Sequence, residues 1–276
     1  MPVPIIKQKC CICGPVRNCG PFLKRVLENI EKIGGLFEEY VIIISYDKST
    51  DNSLDILNAY QRVNPRLKIF INTGKTSPYR THNIANARNK CLDLIRRDYV
   101  AYPFFIMMDF DDVNAKNISV DKLVKYFERD DWDALSFNTS PSYYDIWALS
   151  IYPYCYSYNH FKDNVQYYSI IQTYISRQLS CMPKTQLLRC ISAFNGFSIY
   201  RTNPFLKCKY DGRVRTDLAT REMIQAHMRA TKSKLMYIDY GNVDGRYEDC
   251  EHRPFHMEAI KRFDARIMIS KDVIFY

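Results

Sequence analysis

No stretch of this sequence stays apolar for the ~18 residues that a membrane-spanning helix needs. Its opening, MPVPIIKQKCCICG, meets charge too early and too often to read as a signal peptide. There is no internal repeat, no low-complexity tract and no Gly/Ser linker, which leaves no sign of a solenoid or of tethered modules. No run of Lys or Arg exceeds two residues, so there is no polybasic tail. Cys10 and Cys13 have C-x-x-C spacing, but no second C-x-x-C completes a four-ligand zinc site.

What is present is an ordinary globular composition. The 276 residues are 47% hydrophobic and 25% charged, which excludes a disordered or collagenous chain. A chain of this length buries ~75% of its unfolded surface and needs no staples. The net charge of +9 admits nucleic acid, a membrane surface or an anionic small substrate as partner. Because the charges are spread along the chain, a solvated basic surface is the better account of them. Cys10 and Cys13 lie in the apolar stretch IIKQKCCICG, which reads as a buried strand, where residues three apart face opposite ways. The ten cysteines are therefore expected as free thiols, mostly buried, in a reducing compartment.

The first half alternates strand and helix patterns. Strands are expected at Val3–Cys13, Tyr40–Tyr46, Leu67–Ile71 and Pro103–Met108. Between them Phe22, Val26, Leu27, Ile30 and Ile33 fall at helical spacing, stopped by Gly34-Gly35. A second helix carries Leu54, Leu57 and Tyr60, with Asp51 able to cap it, and a third spans His82–Arg97. Repeated β-α units of this kind make a mainly parallel sheet with right-handed crossovers. Later come a helix at Val120–Phe127, strands at Ala134–Asn138, Cys190–Tyr200 and Leu235–Tyr240, and a helix at Pro254–Phe263. Tyr143–Gln178 is aromatic and polar without clear periodicity, and the tail Ile267–Tyr276 is apolar enough to dock. The pattern is that of one α/β domain, a nucleotide-type half at 1–112 and an irregular half at 113–276.

Four clusters could carry chemistry. Asp109-Phe110-Asp111-Asp112 directly follows the strand PFFIMM. Three carboxylates in four residues repel one another unless a hard cation such as Mn2+ or Mg2+ offsets them, although one or more could simply cap the next segment. Strand C-termini are where open α/β sheets bind ligands. Upstream, Arg88 and Asn89 sit on the helix that leads back into that strand; an Arg there can fork onto a diphosphate, and an Asn can bond a base or ribose. Asp47, in SYDKSTD, ends the strand YVIIISY on the same sheet edge and could accept from a ribose hydroxyl or a uracil N–H. Finally, Glu248, Asp249, Glu251, His252 and His256 gather acid and imidazole groups within ten residues, either a base or metal site or an acidic surface turn. His252 and His256 share a face only if Pro254 allows continuous helix.

In this order, the motifs resemble a GT-A-fold glycosyltransferase over roughly residues 1 to 260: Asp47-Lys-Ser-Thr-Asp51-Asn-Ser53, then Ala87-Arg88-Asn89, then Asp109-Phe-Asp111-Asp112. RNCGPFLKRVLENI, Tyr143-Tyr-Asp-Ile-Trp-Ala-Leu149, Phe194-Asn-Gly-Phe-Ser-Ile-Tyr200 and Cys250-Glu-His-Arg-Pro-Phe-His256 are similar to a narrower group of fungal capsule-type mannosyltransferases and large-DNA-virus glycosyltransferases. The lack of an anchor is more like the viral members, which implies a cytoplasmic location, in a host cell or virion.

The resemblance implies that Asp109 and Asp111 bind Mn2+ or Mg2+ bridging the diphosphate of a nucleotide-sugar, with UDP-sugar the first choice and GDP-sugar the second. Asp47, Arg88, Asn89 and Asp109 would hold the donor, and His252 or His256 would add a further metal or phosphate contact. Glu251 would be the base toward a hydroxyl of a glycan or glycoprotein acceptor, with Asp217 in reserve; Phe194–Tyr200 would face donor sugar and acceptor. Asn195 departs from the Gly-Gly usual there. A sugar-nucleotide synthase would open with a G-x-G-x-R loop where this chain has CICGPVRN. A nucleic-acid-binding module would use the +9 charge but would not need the Asp109–Asp112 cluster, and an inactive scaffold of the same fold is the other alternative.

Overall fold

The computed structural model describes residues 6–74, 76–160, 164–232 and 248–276. The first half runs β1 (Ile6–Val16), α1 (Gly20–Gly34), β2 (Phe37–Tyr46), α2 (Ser53–Val63), β3 (Leu67–Ile71), α3 (Arg80–Asp98) and β4 (Phe104–Met108). Then follow α4 (Val120–Val124), β5 (Ala134–Asn138), α5 (Asn164–Cys181), β6 (Leu188–Cys190), β7 (Phe197–Arg201), α6 (Thr202–Phe205), α7 (Arg221–Thr231), α8 (His252–Phe263) and β8 (Ile267–Val273). All eight strands form one sheet in the order β3-β2-β1-β4-β7-β5-β8-β6. β1 pairs in parallel with β2 and β4, as do β2 with β3 and β5 with β8. β7 enters between β4 and β5, antiparallel to both, and β6 is antiparallel to β8. The sheet is thus the mainly parallel, helix-flanked one expected from the β-α repeat.

Strand alternation divides the interior into two layers. Cys10, Ile12, Ile42, Ile44, Phe104, Ile106 and Met108 point to the side covered by Leu23, Val26, Leu27, Ile30 and Ile33 of α1 and by Leu57 of α2. Cys11, Cys13, Val41, Ile43, Phe105 and Met107 point to the side covered by α3, by Ile171, Ile175 and Leu179 of α5, and by Phe255 and Ala259 of α8. Cys10 and Cys13 therefore lie on opposite faces and cannot share a metal. All ten cysteines are free, and only Cys181 is exposed. Each fully buried Ile, Leu or Val side chain contributes about 1.5–3 kcal/mol, so these layers supply the driving force of folding.

Three sequence expectations are corrected. Cys190–Tyr200 is not one strand: Asn195 (φ 57°) and Gly196 (φ 81°) are left-handed and break the run into β6 and β7, which lie apart in the sheet. Val120–Phe127 is helical only to Val124. The region without clear periodicity contains the 18-residue α5. The docked tail is β8, which fills the sheet between β5 and β6. Leu235–Tyr240 lies outside the described residues. Among the described residues no helix is long and apolar enough to cross a membrane.

Candidate functional site

The C-terminal ends of β1, β2 and β4 lie on one sheet edge, so topology alone brings Asp47 and Asp109 to the same rim. The turn after β1 is stitched to the Asp47–Ser53 segment. Cys19 N donates to Ser53 Oγ at 2.9 Å, and Gly20 N donates to Asp51 Oδ2 at 2.8 Å. Asp51 Oδ1 accepts from Ser53 N (3.0 Å) and Ser53 Oγ (2.6 Å). Asp51 is thereby an anchor for the starts of α1 and α2, where a negative charge is favoured. Asp47 remains at the rim; its Oδ1 accepts from Lys48 N at 2.9 Å and Asn72 Nδ2 at 3.3 Å, with Arg17 Nη1 3.8 Å from Oδ2.

At the centre is Arg88, buried on α3. Its Nη2 donates to Asp109 Oδ1 at 2.9 Å, and its Nε donates to Glu251 Oε1 at 2.9 Å. The guanidinium lies 4.5 Å from the centroid of the Phe194 ring. Burial opposes its charge, but the Asp109 and Glu251 carboxylates outweigh that and hold its pKa above the ordinary value. Arg88 Nη1 is buried and has no hydrogen-bond partner. One cation thus ties the end of β4 to the start of α8.

The carboxylates around it are crowded. Burial, then the neighbouring Asp109 and Asp112, push Asp111 up to about 7. Glu251 is buried at the N-cap of α8, and burial raises its pKa against the pull of Arg88. Asp145 joins them: burial and the charges of Asp109 and Glu251 push it up to about 6. Its carboxylate accepts from Asn195 N at 3.2 Å and Ala148 N at 3.1 Å, while Asn195 Oδ1 accepts from Asp145 N at 3.1 Å. Asn195 also donates from Nδ2 to Phe137 O at 2.8 Å. Asn114 Nδ2 bonds both Asp109 O (2.8 Å) and Gly196 O (2.7 Å), fixing the strand end to the β7 turn.

Not every expected residue joins this network. Asn89 is occupied: its Nδ2 donates to Tyr210 O at 2.8 Å and its Oδ1 accepts from Tyr210 N at 2.9 Å. It pins the Tyr210 loop with one of its two N–H donors and its carbonyl oxygen. His256 is likewise corrected from metal contact to core residue. Its Nδ1 is bonded to Ser192 Oγ and its Nε2 to the Tyr200 hydroxyl, each at 3.1 Å, and burial then Arg253 lower it to about 3. His252 stacks on Phe194 at 3.8 Å, with Nε2 3.5 Å from Glu251 Oε1 and neither ring nitrogen hydrogen-bonded. Burial and Arg88 keep it neutral. Asp217 sits exposed on the short 3-10 turn Thr216–Leu218, gripped by Arg215 at 2.7 Å on both oxygens and held below the usual carboxylate range by that bond. Glu248 accepts from Thr81 N and Oγ1, each at 2.9 Å, at the start of α3. Asp145 and Asn114 were not singled out as site residues; the signal for Asp145 was its place in the Tyr143–Leu149 stretch.

The donor set suits a hard divalent cation. Asp109 and Asp111 offer oxygen ligands with more negative charge than Arg88 offsets, and among the described residues no third His, Cys, Asp or Glu converges on them. Such a site would bind Mg2+ or Mn2+ through one or two carboxylates, the other positions going to water and substrate phosphates.

The family model for glycosyl transferase family 2 matches residues 11–177. No curated protein matches the sequence. Among solved structures, S. aureus TarS 1-349 is 14% identical with a TM-score of 0.46, the match covering 98% of this chain and 59% of that one. The mannosyltransferase PcManGT from Pyrobaculum calidifontis, in complex with GDP-Man and Mn2+, is 18% identical with a TM-score of 0.38, covering 51% and 38%. Glucosyl-3-phosphoglycerate synthase from Mycobacterium tuberculosis, with UDP, is 11% identical with a TM-score of 0.40, covering 72% and 58%. This chain spans less than two thirds of the length of each.

Proposed function

The chain belongs to glycosyl transferase family 2, whose model spans more than half of it, and on that premise we propose that it transfers a sugar from a nucleoside-diphosphate sugar to a hydroxyl of a glycan or glycoprotein. It is a glycosyltransferase with a GT-A, Rossmann-like α/β fold. The observation that carries the donor and metal assignment is the Arg88 bridge, which holds the Asp109 strand end and the Glu251 helix start on one buried cation. In this reading residues 1–112 bind the nucleotide and 113–276 the acceptor. Uridine is the preferred base and guanosine the second. Kinship with the large-DNA-virus and fungal capsule-type enzymes, and a cytoplasmic site of action, are part of the proposal and rest on the sequence stretches alone.

The chemistry follows from charge. Asp109 and Asp111 would hold Mn2+ or Mg2+, which would supply the positive charge that eases departure of a nucleoside diphosphate. Arg88 fixes Asp109 and leaves its unpartnered Nη1 for a further acceptor. Asp47, at the neighbouring strand end, would accept from the nucleoside. Glu251 Oε1 is taken by Arg88, so its other oxygen would receive the acceptor proton. His252, with two unbonded nitrogens beside Glu251, is the imidazole left to add a phosphate or metal contact. Asp217, clamped by Arg215, stays the reserve base.

Thermal stability of the purified protein, measured with UDP, GDP and their sugars with and without Mn2+, tests this. A ligand at ~100 times its dissociation constant adds ~2.7 kcal/mol, a clear shift. The expected result is a Mn2+-dependent shift with one base that disappears in Asp111→Ala while the unliganded Tm is kept. No shift with any nucleotide, in a folded protein, would turn the reading to an inactive scaffold.

A further inference from the structure

A cleft of about 610 Å³ lies between α3, the 207–215 loop and α8. Its size is that of a small-molecule site. Five cationic side chains line it, Lys207, Lys209, Arg213, Arg215 and Arg262, against the carboxylates Asp211 and Glu258; Asp217, outside the lining, holds Arg215 at 2.7 Å, so the two lysines are the excess. Asp211 holds Arg213 at 2.9 Å and lies 3.6 Å from Arg215, and Glu258 holds Arg262 at 2.7 Å. Lys207 and Lys209 are exposed and make no ion pair among the described residues; Lys207 lies 5.5 Å over the Phe263 ring. The carboxylates thus orient the guanidinium groups and leave the ammonium groups uncompensated. The opposite wall carries His82, Ala85 and Asn86 of α3 and Ser77 just before it, with no carboxylate among them.

Like charges are not drawn into one concavity by packing, and their mutual repulsion is relieved by an anion of several charges. Phosphate fits best, since it presents oxygens to both forked Arg and point-charged Lys groups. A concave, half-open cleft of this volume suits a small ligand better than a duplex or a lipid surface, which call for an extended basic face. We propose that this cleft is a second, metal-independent site for a small phosphate-bearing ligand. Tyr210 forms the partition: its ring lines the cleft, stacks on Phe255 at 3.9 Å and lies 5.9 Å from the Arg88 guanidinium. The proposal does not rest on the transferase reading, because Asp109, Asp111 and Glu251 are not among the cleft's lining residues.

Calorimetric titration of the whole chain in metal-free buffer, with tripolyphosphate, inorganic phosphate and ribose 5-phosphate as probes, tests it. Tripolyphosphate is expected to bind wild type and Asp111→Ala alike, to weaken with salt, and to bind Lys207→Glu/Lys209→Glu about tenfold or more weakly. The neutral pair Lys207→Gln/Lys209→Gln should show a smaller loss, with an unchanged melting curve as the fold control. Tighter binding of ribose 5-phosphate than of phosphate identifies an organic phosphate as the ligand; equal binding identifies the free anion. Absence of binding by all three probes, or equal affinity in the Glu pair and wild type, overturns the site. Loss of tripolyphosphate binding in Asp111→Ala would assign it to the strand-edge centre and equally overturn it.

Discussion

Arg88 holds two carboxylates at 2.9 Å because burial removes the water that would otherwise separate them. The pairing also divides labour. Asp109 is tied by the guanidinium, Asp111 is crowded toward neutrality, and Glu251 gives one oxygen to Arg88 while the other meets only the weak Cys250 Sγ donor at 3.9 Å. Glu251→Gln keeps the volume and an Arg88-facing oxygen but cannot take a proton. It should cut turnover by about 100-fold or more with donor affinity nearly unchanged. Steady-state kinetics beside nucleotide titration checks this, and normal turnover would move the base to Asp217. His256 invites a pH test. The unfolded chain takes up a proton near the ordinary 6.5, whereas the folded imidazole does so only near 3. Its contribution is therefore complete above 6.5 and fades as the pH falls toward 3, by up to about 1.4 kcal/mol per unit. Burial raises Asp111 and Asp145, which act in the opposite sense, so the comparison must be with His256→Gln. Between pH 6 and 4, urea midpoints should fall more steeply for wild type than for the variant; parallel curves would reject a neutral buried His256.

Among the elements, the β7 turn decides most. Gly196 at φ 81° would place a Cβ 2.7 Å from the Tyr144 hydroxyl, and its carbonyl accepts from Asp109 N at 2.9 Å. Gly196→Ala should cost about 1 kcal/mol or more in the urea midpoint and should also weaken metal-dependent nucleotide binding, since the Asp109 backbone hangs on that carbonyl. A variant unchanged in both would refute the coupling. This turn also limited what periodicity could resolve. Cys190–Tyr200 is uniformly apolar enough to look like one strand, and only the left-handed pair at its centre divides it. α5 escaped for a different reason. Its buried Ile171, Ile175 and Leu179 keep helical spacing, but exposed Val165 and Ile170 and the interspersed Tyr and Gln residues blur the stripe. The first-half elements were readable because β1, β2 and β4 carry runs buried on both faces and α1 carries a clean apolar face; β3, an edge strand with only Leu67 buried, was legible from its β-branched composition.

For the molecule as a whole, the β-α order in the chain was enough to place Asp47 and Asp109 on one edge, because such topology sends strand ends there, whereas Glu251 was reached only through the family resemblance. Side-chain partners were not readable. His256 lies 64 residues from Ser192, and Asn89 lies 121 from the Tyr210 backbone it binds, so the neighbour that decides each role is distant in sequence. The reading of buried free thiols was a whole-chain inference from composition, and it carries a prediction. Of the ten cysteines only Cys181 is exposed, and burial raises Cys10, Cys11, Cys13 and Cys190. A colorimetric thiol reagent should label one thiol in the native protein, lost in Cys181→Ser, and all ten after denaturation. Several fast-reacting thiols would contradict the packing of β1 between its two layers.

The position of β8 has a consequence in time. A ribosome delivers β1 to β4 early, and these can pair as they emerge. β5 must wait for β7 on one side and β8 on the other, and β6 has no sheet neighbour other than β8. Until residues 267–273 leave the exit tunnel, the nascent chain carries unpaired strand edges on its later half, the surfaces on which neighbouring polypeptides aggregate. Slow delivery of β8 would lengthen that exposure, and a chaperone covering β5 and β6 would shorten it.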